Sequence, residues 1–214
     1  MEGQNKSLFQ LFVPLCLETI FYMLSGMVDT LMLSSVGDQA VGAVGTANTY
    51  IGVFIIMYSV VSMGMLAVMT QNIGAGRPGI ACQAKTLGLW FNGILGVVMS
   101  VFLFFCSDGI LYVVGIAPAL KEPAIQYLRI VGGGSILNAM IPILAGYLRA
   151  FGYTKQPLIA TVTGNILNFI LNAVFLFRFH LGVQGVASAT VISKVVNLIS
   201  VSYTHLRAHE TGAY

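Results

Sequence analysis

Glu18, Tyr22, Ser25 and Asp29 stand inside an apolar run at offsets of 0, 4, 7 and 11. At 3.6 residues per turn, these four fall along one narrow helical stripe. Thr161, Asn165, Asn168 and Asn172 repeat the same offsets in another apolar run. A carboxylate at the centre of a membrane span costs about 2.5–3.5 kcal/mol on insertion scales, so such a stripe must face protein or water rather than lipid. One stripe of acids and one of amides and hydroxyls together predict a shared wet cavity, whose carboxylates can exchange H+ or hold Na+. Thr190 and Lys194, one turn apart in a third run, add a hydroxyl and an ammonium, and Asn48, Ser59 and Ser62 stand in a fourth. Amides and hydroxyls also glue helices, at about 0.6 kcal/mol per bond on average in membranes, and for Ser25, Thr161 and Asn165 that reading stands beside the functional one. Asp29 favours chemistry, because a carboxylate in lipid needs a stronger reason than glue. Glu18 lies nearer the other end of its span. Lys194 is a counter-ion for Asp29 or for Glu18, or it snorkels to the interface. Arg129 and Arg149 are expected at interfaces.

The elements that carry these residues must be membrane helices. Of the 214 residues, 57% are hydrophobic and 8% charged, where soluble domains carry roughly a quarter charged. That composition excludes a soluble enzyme. A net charge of +3, spread along the chain, excludes a nucleic-acid surface. Six apolar runs are long enough to span: 8–33, 41–73, 87–106, 124–148, 158–177 and 183–201. Turn chemistry separates them, as in Gly37-Asp38 and the stretch GAGRPG at 74–79. Unmet backbone groups in lipid then force helices. The expectation is an all-α, polytopic bundle of six spans. Even alternation puts Lys6, Arg77, Lys85, Arg149 and Lys155 on one side against Lys121 and Arg178 on the other, which places the N-terminus in the cytoplasm of a cell whose inner membrane holds the protein. Cys16, Cys82 and Cys106 lack metal-ligand or redox spacing and read as apolar filler.

Glycine is dense in the spans, and most of it reads as close packing. Pro14 is the exception: one turn before Glu18 on the helix that carries Asp29, it is expected to be a hinge. Residues 202–214 break the apolar pattern. The string VSYTHLRAHET at 201–211 resembles an in-frame translation of a transposon adapter used in sequencing libraries. The expected organisation is therefore a six-helix unit over 1–201, cut within its sixth helix, and a non-native tail over 202–214.

The order of these features resembles the MATE family, multidrug and toxic compound extrusion transporters. The likeness rests on Pro14 with Val28-Asp29-Thr30, on VGDQAVGAVG at 36–45, TQNIGAGRP at 70–78, YLR at 127–129 and LRAFGYTKQP at 148–157. The asparagine run through Asn172 and GVQGVASATVIS at 182–193 complete it. The resemblance implies a twelve-helix antiporter of two lobes, of which this chain holds the N-terminal one. It implies export of cationic or lipophilic compounds against H+ or Na+, with no other cofactor and a monomeric full-length protein. The family's first-helix aspartate maps to Asp29, its fifth-helix asparagine to Asn168 and a sixth-helix threonine to Thr190. Where one subfamily has a second acid, this chain has Asn172. Asp29 is then the coupling acid and the position for Na+, with Glu18 auxiliary and Tyr22, Ser25, Asn165 and Lys194 lining the substrate cavity.

Three rivals are weaker. A lipid-linked oligosaccharide or polysaccharide flippase would share the bundle but need a more cationic cavity. An intramembrane enzyme would need a base near Ser135, and His180 falls in an outer loop. A channel would need rings of charge.

Overall fold

The computed structural model describes residues 8–211, and within them every regular element is helical. They are α1 (Leu8–Ser34), α2 (Asp38–Gly74), α3 (Pro78–Val113), α4 (Pro118–Gly133), α5 (Ser135–Ala150), α6 (Lys155–Ala173) and α7 (Gly182–Thr211). A π-helical turn, Val174–Arg178, continues α6. The links are short. Gly76 and Gly115 end α2 and α3 in left-handed conformations, at φ of 72° and 71°. A proline then opens the next helix at Pro78 and Pro118, where its missing N–H leaves no helical bond unmade.

Among the described residues, five helices are long and apolar enough to cross a membrane, and α4 with α5 makes a sixth, broken span. The chain is thus a multi-pass membrane protein of six spans, as its composition predicts. Three details differ from the sequence reading. The span expected at 124–148 is two helices bent by 41° at Gly134, inside the run Gly132-Gly133-Gly134. Glycine's weak helix preference and the missing side chains let the break occur there. The span expected to begin at 87 begins at Pro78, which brings Lys85 into α3 as a buried side chain with its ammonium 4.7 Å from the Tyr147 ring centre. The helix of the sixth span, α7, continues past 201 to Thr211, with its apolar span reaching Thr204. Lys6 and residues 212–214 lie outside the described residues.

Small residues set the packing. An added Cβ at Gly96 would come within 2.9 Å of both Ile136 Cα and Ala139 Cβ, and one at Gly132 within 2.8 Å of Leu103 Cβ. The backbones of α3, α4 and α5 therefore interlock with no room for a methyl group. Asn92, fully buried on α3, pins the same region: its amide nitrogen donates toward Tyr58 O and Ser62 Oγ of α2 and Ala139 O of α5, at 3.3, 3.2 and 3.0 Å. The outer face of α3 is apolar and open, with Trp90, Phe91, Ile94 and Phe105 exposed, as a lipid-facing surface must be. α1 is held differently. It packs mainly on α6, and an ion pair ties it to α5: Arg149 Nη2 donates to Glu18 Oε1 at 2.6 Å, with the side chains 25% and 16% exposed.

Two stability predictions follow from this packing. Gly96→Ala should cost about 1–3 kcal/mol in reversible detergent unfolding, because backbone must move to admit the methyl. Gly93→Ala, which meets nothing within 4 Å, should stay within about 0.5 kcal/mol of the parent. In a double-mutant cycle, Arg149→Met alone should cost about 1–3 kcal/mol by stranding Glu18, and Glu18→Gln with Arg149→Met should recover about 1–2 kcal/mol of coupling.

Candidate functional site

The two polar stripes meet. α1 and α6 are the first and fifth spans, so they run parallel, and their side chains bond in register. Asn165 Nδ2 donates to Phe21 O at 2.9 Å, and two turns on Asn172 Nδ2 donates to Asp29 Oδ1 at 2.6 Å. The Asn172 amide also donates to Asn168 Oδ1 at 3.3 Å. With acceptors on both sides, it must present its NH2 to them. Asn172 is wholly buried and Asn168 nearly so, whereas Asp29 is half-buried at the rim of this seam. Asp29 lies five residues before the end of α1, roughly 8 Å along the axis, so it is well inside the span.

α2, α4, α5 and α7 close the other side. The side chain of Tyr127, buried on α4, lies close to Asn48 on α2 and Thr190 on α7. One turn beyond Thr190, Lys194 Nζ donates to Asn138 Oδ1 of α5 at 2.8 Å. The ammonium also interacts electrostatically with Asp29, with no carboxylate oxygen within 4.0 Å of it among the described residues. Five of the six spans, all but α3, thus contribute to or adjoin one polar patch. Tyr22 and Ser25 lie on the open side of α1, with Tyr22 63% exposed.

The structure therefore brings together Asp29, Asn168, Asn172, Thr190 and Lys194, and it sets Glu18 apart. Three helical turns, roughly 16 Å, separate Glu18 from Asp29 on α1, and Glu18 faces Arg149 instead. Arg149 holds that acid and does not simply rest at an interface, and the counter-ion choice left open for Lys194 is thereby narrowed to Asp29. Pro14 is buried within a continuous α1, one turn before Glu18. Tyr127 and Asn138 were not singled out as site residues from sequence. Asn138 carried a signal, being a lone amide inside an apolar run, but Tyr127 beside Arg129 looks like an ordinary interfacial aromatic.

The donors at this site suit a proton better than a metal ion. Among the described residues, no three His, Cys, Asp or Glu side chains cluster. The single carboxylate of Asp29 is met by an amide N–H, which offers a hydrogen where a metal cation needs oxygens, and the Lys194 ammonium acts on it from farther off.

Comparison with known proteins agrees with this architecture. The MatE family model matches residues 14–174. A Bacillus subtilis protein described as uncharacterized transporter YisQ is 34% identical over 198 residues, covering 91% of this chain and 44% of its own length. The Thermotoga maritima protein described as probable multidrug resistance protein NorM is 28% identical over 214 residues, 96% of this chain and 45% of the relative. Among solved structures, the outward-facing conformation of a multidrug resistance MATE family transporter of the MOP superfamily aligns at TM-score 0.85 and 26% identity, over 91% of this chain and 43% of that one. The chain spans about half the length of the curated relatives it matches. A match that runs from Pro14 on α1 through the whole of α6, on a six-span bundle of the same shape, makes the chain a member of the MatE family.

Proposed function

We propose that this chain is the N-terminal lobe of a secondary multidrug exporter, one that exchanges cationic or lipophilic compounds for a coupling proton at Asp29. It would lie in the cell's inner membrane with its N-terminus in the cytoplasm and export compounds without altering them chemically. The observation that carries the reading is the half-buried Asp29 carboxylate, held by Asn172 at the seam of α1 and α6. A site with one carboxylate can favour either a proton or an organic cation, and it cannot hold both charges at once. Tyr22 on the open face of α1 offers an aromatic surface to such a cation. Supporting the reading from outside are the multidrug resistance descriptions of the Thermotoga maritima relative and of PmpM from Pseudomonas aeruginosa, the latter 25% identical over 184 residues.

The mechanism follows from charge. With Asp29 ionised, the site attracts a lipophilic cation. A proton arriving from outside neutralises the carboxylate and removes that attraction. It also weakens the Asn172 bond, which is charge-assisted only while Asp29 is ionised. α1 depends on that bond for its seat on α6, so the proton biases the position of α1, with Pro14 providing the bend. Such a bias extends only as far as the proton's differential affinity for the two arrangements.

In cells expressing the complete two-lobe transporter, Asp29→Asn should lower ethidium export at least about ten-fold at equal protein abundance, a loss of about 1.4 kcal/mol or more of coupling. Unchanged export would remove Asp29 from the mechanism. Ethidium binding should also weaken as pH falls, since protons compete for the same carboxylate. The 214-residue chain alone, lacking an opposing wall, should carry no ethidium across liposomes.

A further inference from the structure

Lys194 has no part in the exchange just described, yet it is the cation nearest to it. Its ammonium sits on α7 beside the seam, anchored to Asn138 Oδ1 at 2.8 Å. It acts electrostatically on Asp29 without closing a salt bridge. A cation at membrane depth is expensive and requires a partner or a purpose. Its anchor is neutral, and among the described residues the charge that acts on it is Asp29. Among the described residues, Tyr127 on α4 and Tyr22 on α1 are further titratable groups coupled to Asp29 or to one another at this patch, and Asn138, Asn168 and Asn172 bring neutral amides from α5 and α6. The pair Asp29 and Lys194 is thus neutral in itself. Glu18 and Arg149, three turns away on α1, form a second neutral pair that leaves this balance untouched.

We propose that Lys194 selects the coupling ion: its ammonium, tethered to Asn138 beside Asp29, stands in for a bound metal cation, so that the site excludes Na+ and exchanges only protons and organic cations. The proposal rests on the exchange at Asp29 proposed above and deepens it. Two features of the geometry lead there. The positive field of Lys194 raises the cost of bringing a compact metal cation into direct coordination with Asp29, whereas an organic cation carries its charge spread over a larger body and needs no direct coordination. A proton escapes that penalty because it neutralises Asp29 by a covalent O–H bond and needs no shell of oxygens. The site also retains acceptors that Na+ could use once the ammonium is removed. Asn172 Oδ1 is buried without a hydrogen-bond partner, and it lies beside Asp29 and Asn168. The tether explains the neutral anchor, for Asn138 holds the ammonium near Asp29 while leaving the carboxylate open to protons and drug.

The test measures the melting temperature of the purified 214-residue chain in NaCl and in choline chloride at equal ionic strength, since an ion that binds only the folded state raises it. The parent chain should melt at the same temperature in both salts. Lys194→Gln, which keeps a donor for Asn138 but loses the charge, should gain a rise of a few degrees in Na+ at about ten times its dissociation constant. Lys194→Arg should stay indifferent, and adding Asp29→Asn to Lys194→Gln should abolish the gain. A Na+-dependent rise in the parent chain overturns the proposal whether or not any variant folds. So does a folded Lys194→Gln, by circular dichroism, that remains indifferent to Na+. Ethidium binding measured on the same samples separates the two readings. Na+ stabilisation of a parent chain that still needs Asp29 for ethidium defeats the role of Lys194 alone. Ethidium binding indifferent to Asp29→Asn defeats the exchange site itself.

Discussion

The Asp29 carboxylate needs hydrogen-bond donors at a depth where water is scarce, and that need shapes the rest of the lobe. An ionised carboxylate in lipid is tolerable only if donors and positive charge reach it. The Asn172 amide supplies the donor at 2.6 Å, and Lys194 supplies the charge from α7. To place them there, α6 must run parallel to α1 in register, and α7 must pack against α6. The polar groups that could have been scattered as helix glue are instead gathered around one acid.

The helices differ in how they are fastened, and the difference has a physical origin. α3, α4 and α5 interlock through Gly96 and Gly132, where backbone meets side chain with no spare volume. Asn92 adds buried hydrogen bonds to the same block. Close-packed contacts of this kind are insensitive to charge. α1 has few of them. It rests mainly on α6 and is secured by Asn165 to Phe21, Asn172 to Asp29 and Arg149 to Glu18. Two of those three links involve a carboxylate of α1, so the seat of α1 responds to the charge state of its acids while the block behind it does not. A tightly packed block thus stands beside a charge-sensitive helix.

Much of this was legible without coordinates. The repeated 0, 4, 7, 11 offsets placed Asp29 on one stripe and Asn168 and Asn172 on another. Because an α-helix has a fixed period, shared offsets mean shared faces, and insertion energetics then require the two faces to meet something polar. The spans were legible for a similar reason, since lipid demands long apolar runs. The break at Gly134 was less so. A run of glycines marks a weak point but does not state whether neighbours hold the helix straight, and here α4 and α5 follow separate packing partners. The length of α3 was misjudged because Lys85 looked like a loop charge, when the Tyr147 ring receives it inside the bundle.

Composition and periodicity by themselves determined a six-span helical bundle, the acid within its first span and the residues sharing its helical face, because these depend only on local geometry and on the cost of polarity in lipid. Which stripe meets which, and in what register, was decided by the tertiary structure alone. Glu18 and Asp29 look equivalent along the chain. Packing sends Glu18 to Arg149 and leaves Asp29 to Asn172 and Lys194, because partners some 130 to 165 residues away are chosen by the way helices stack and not by any pattern within one helix.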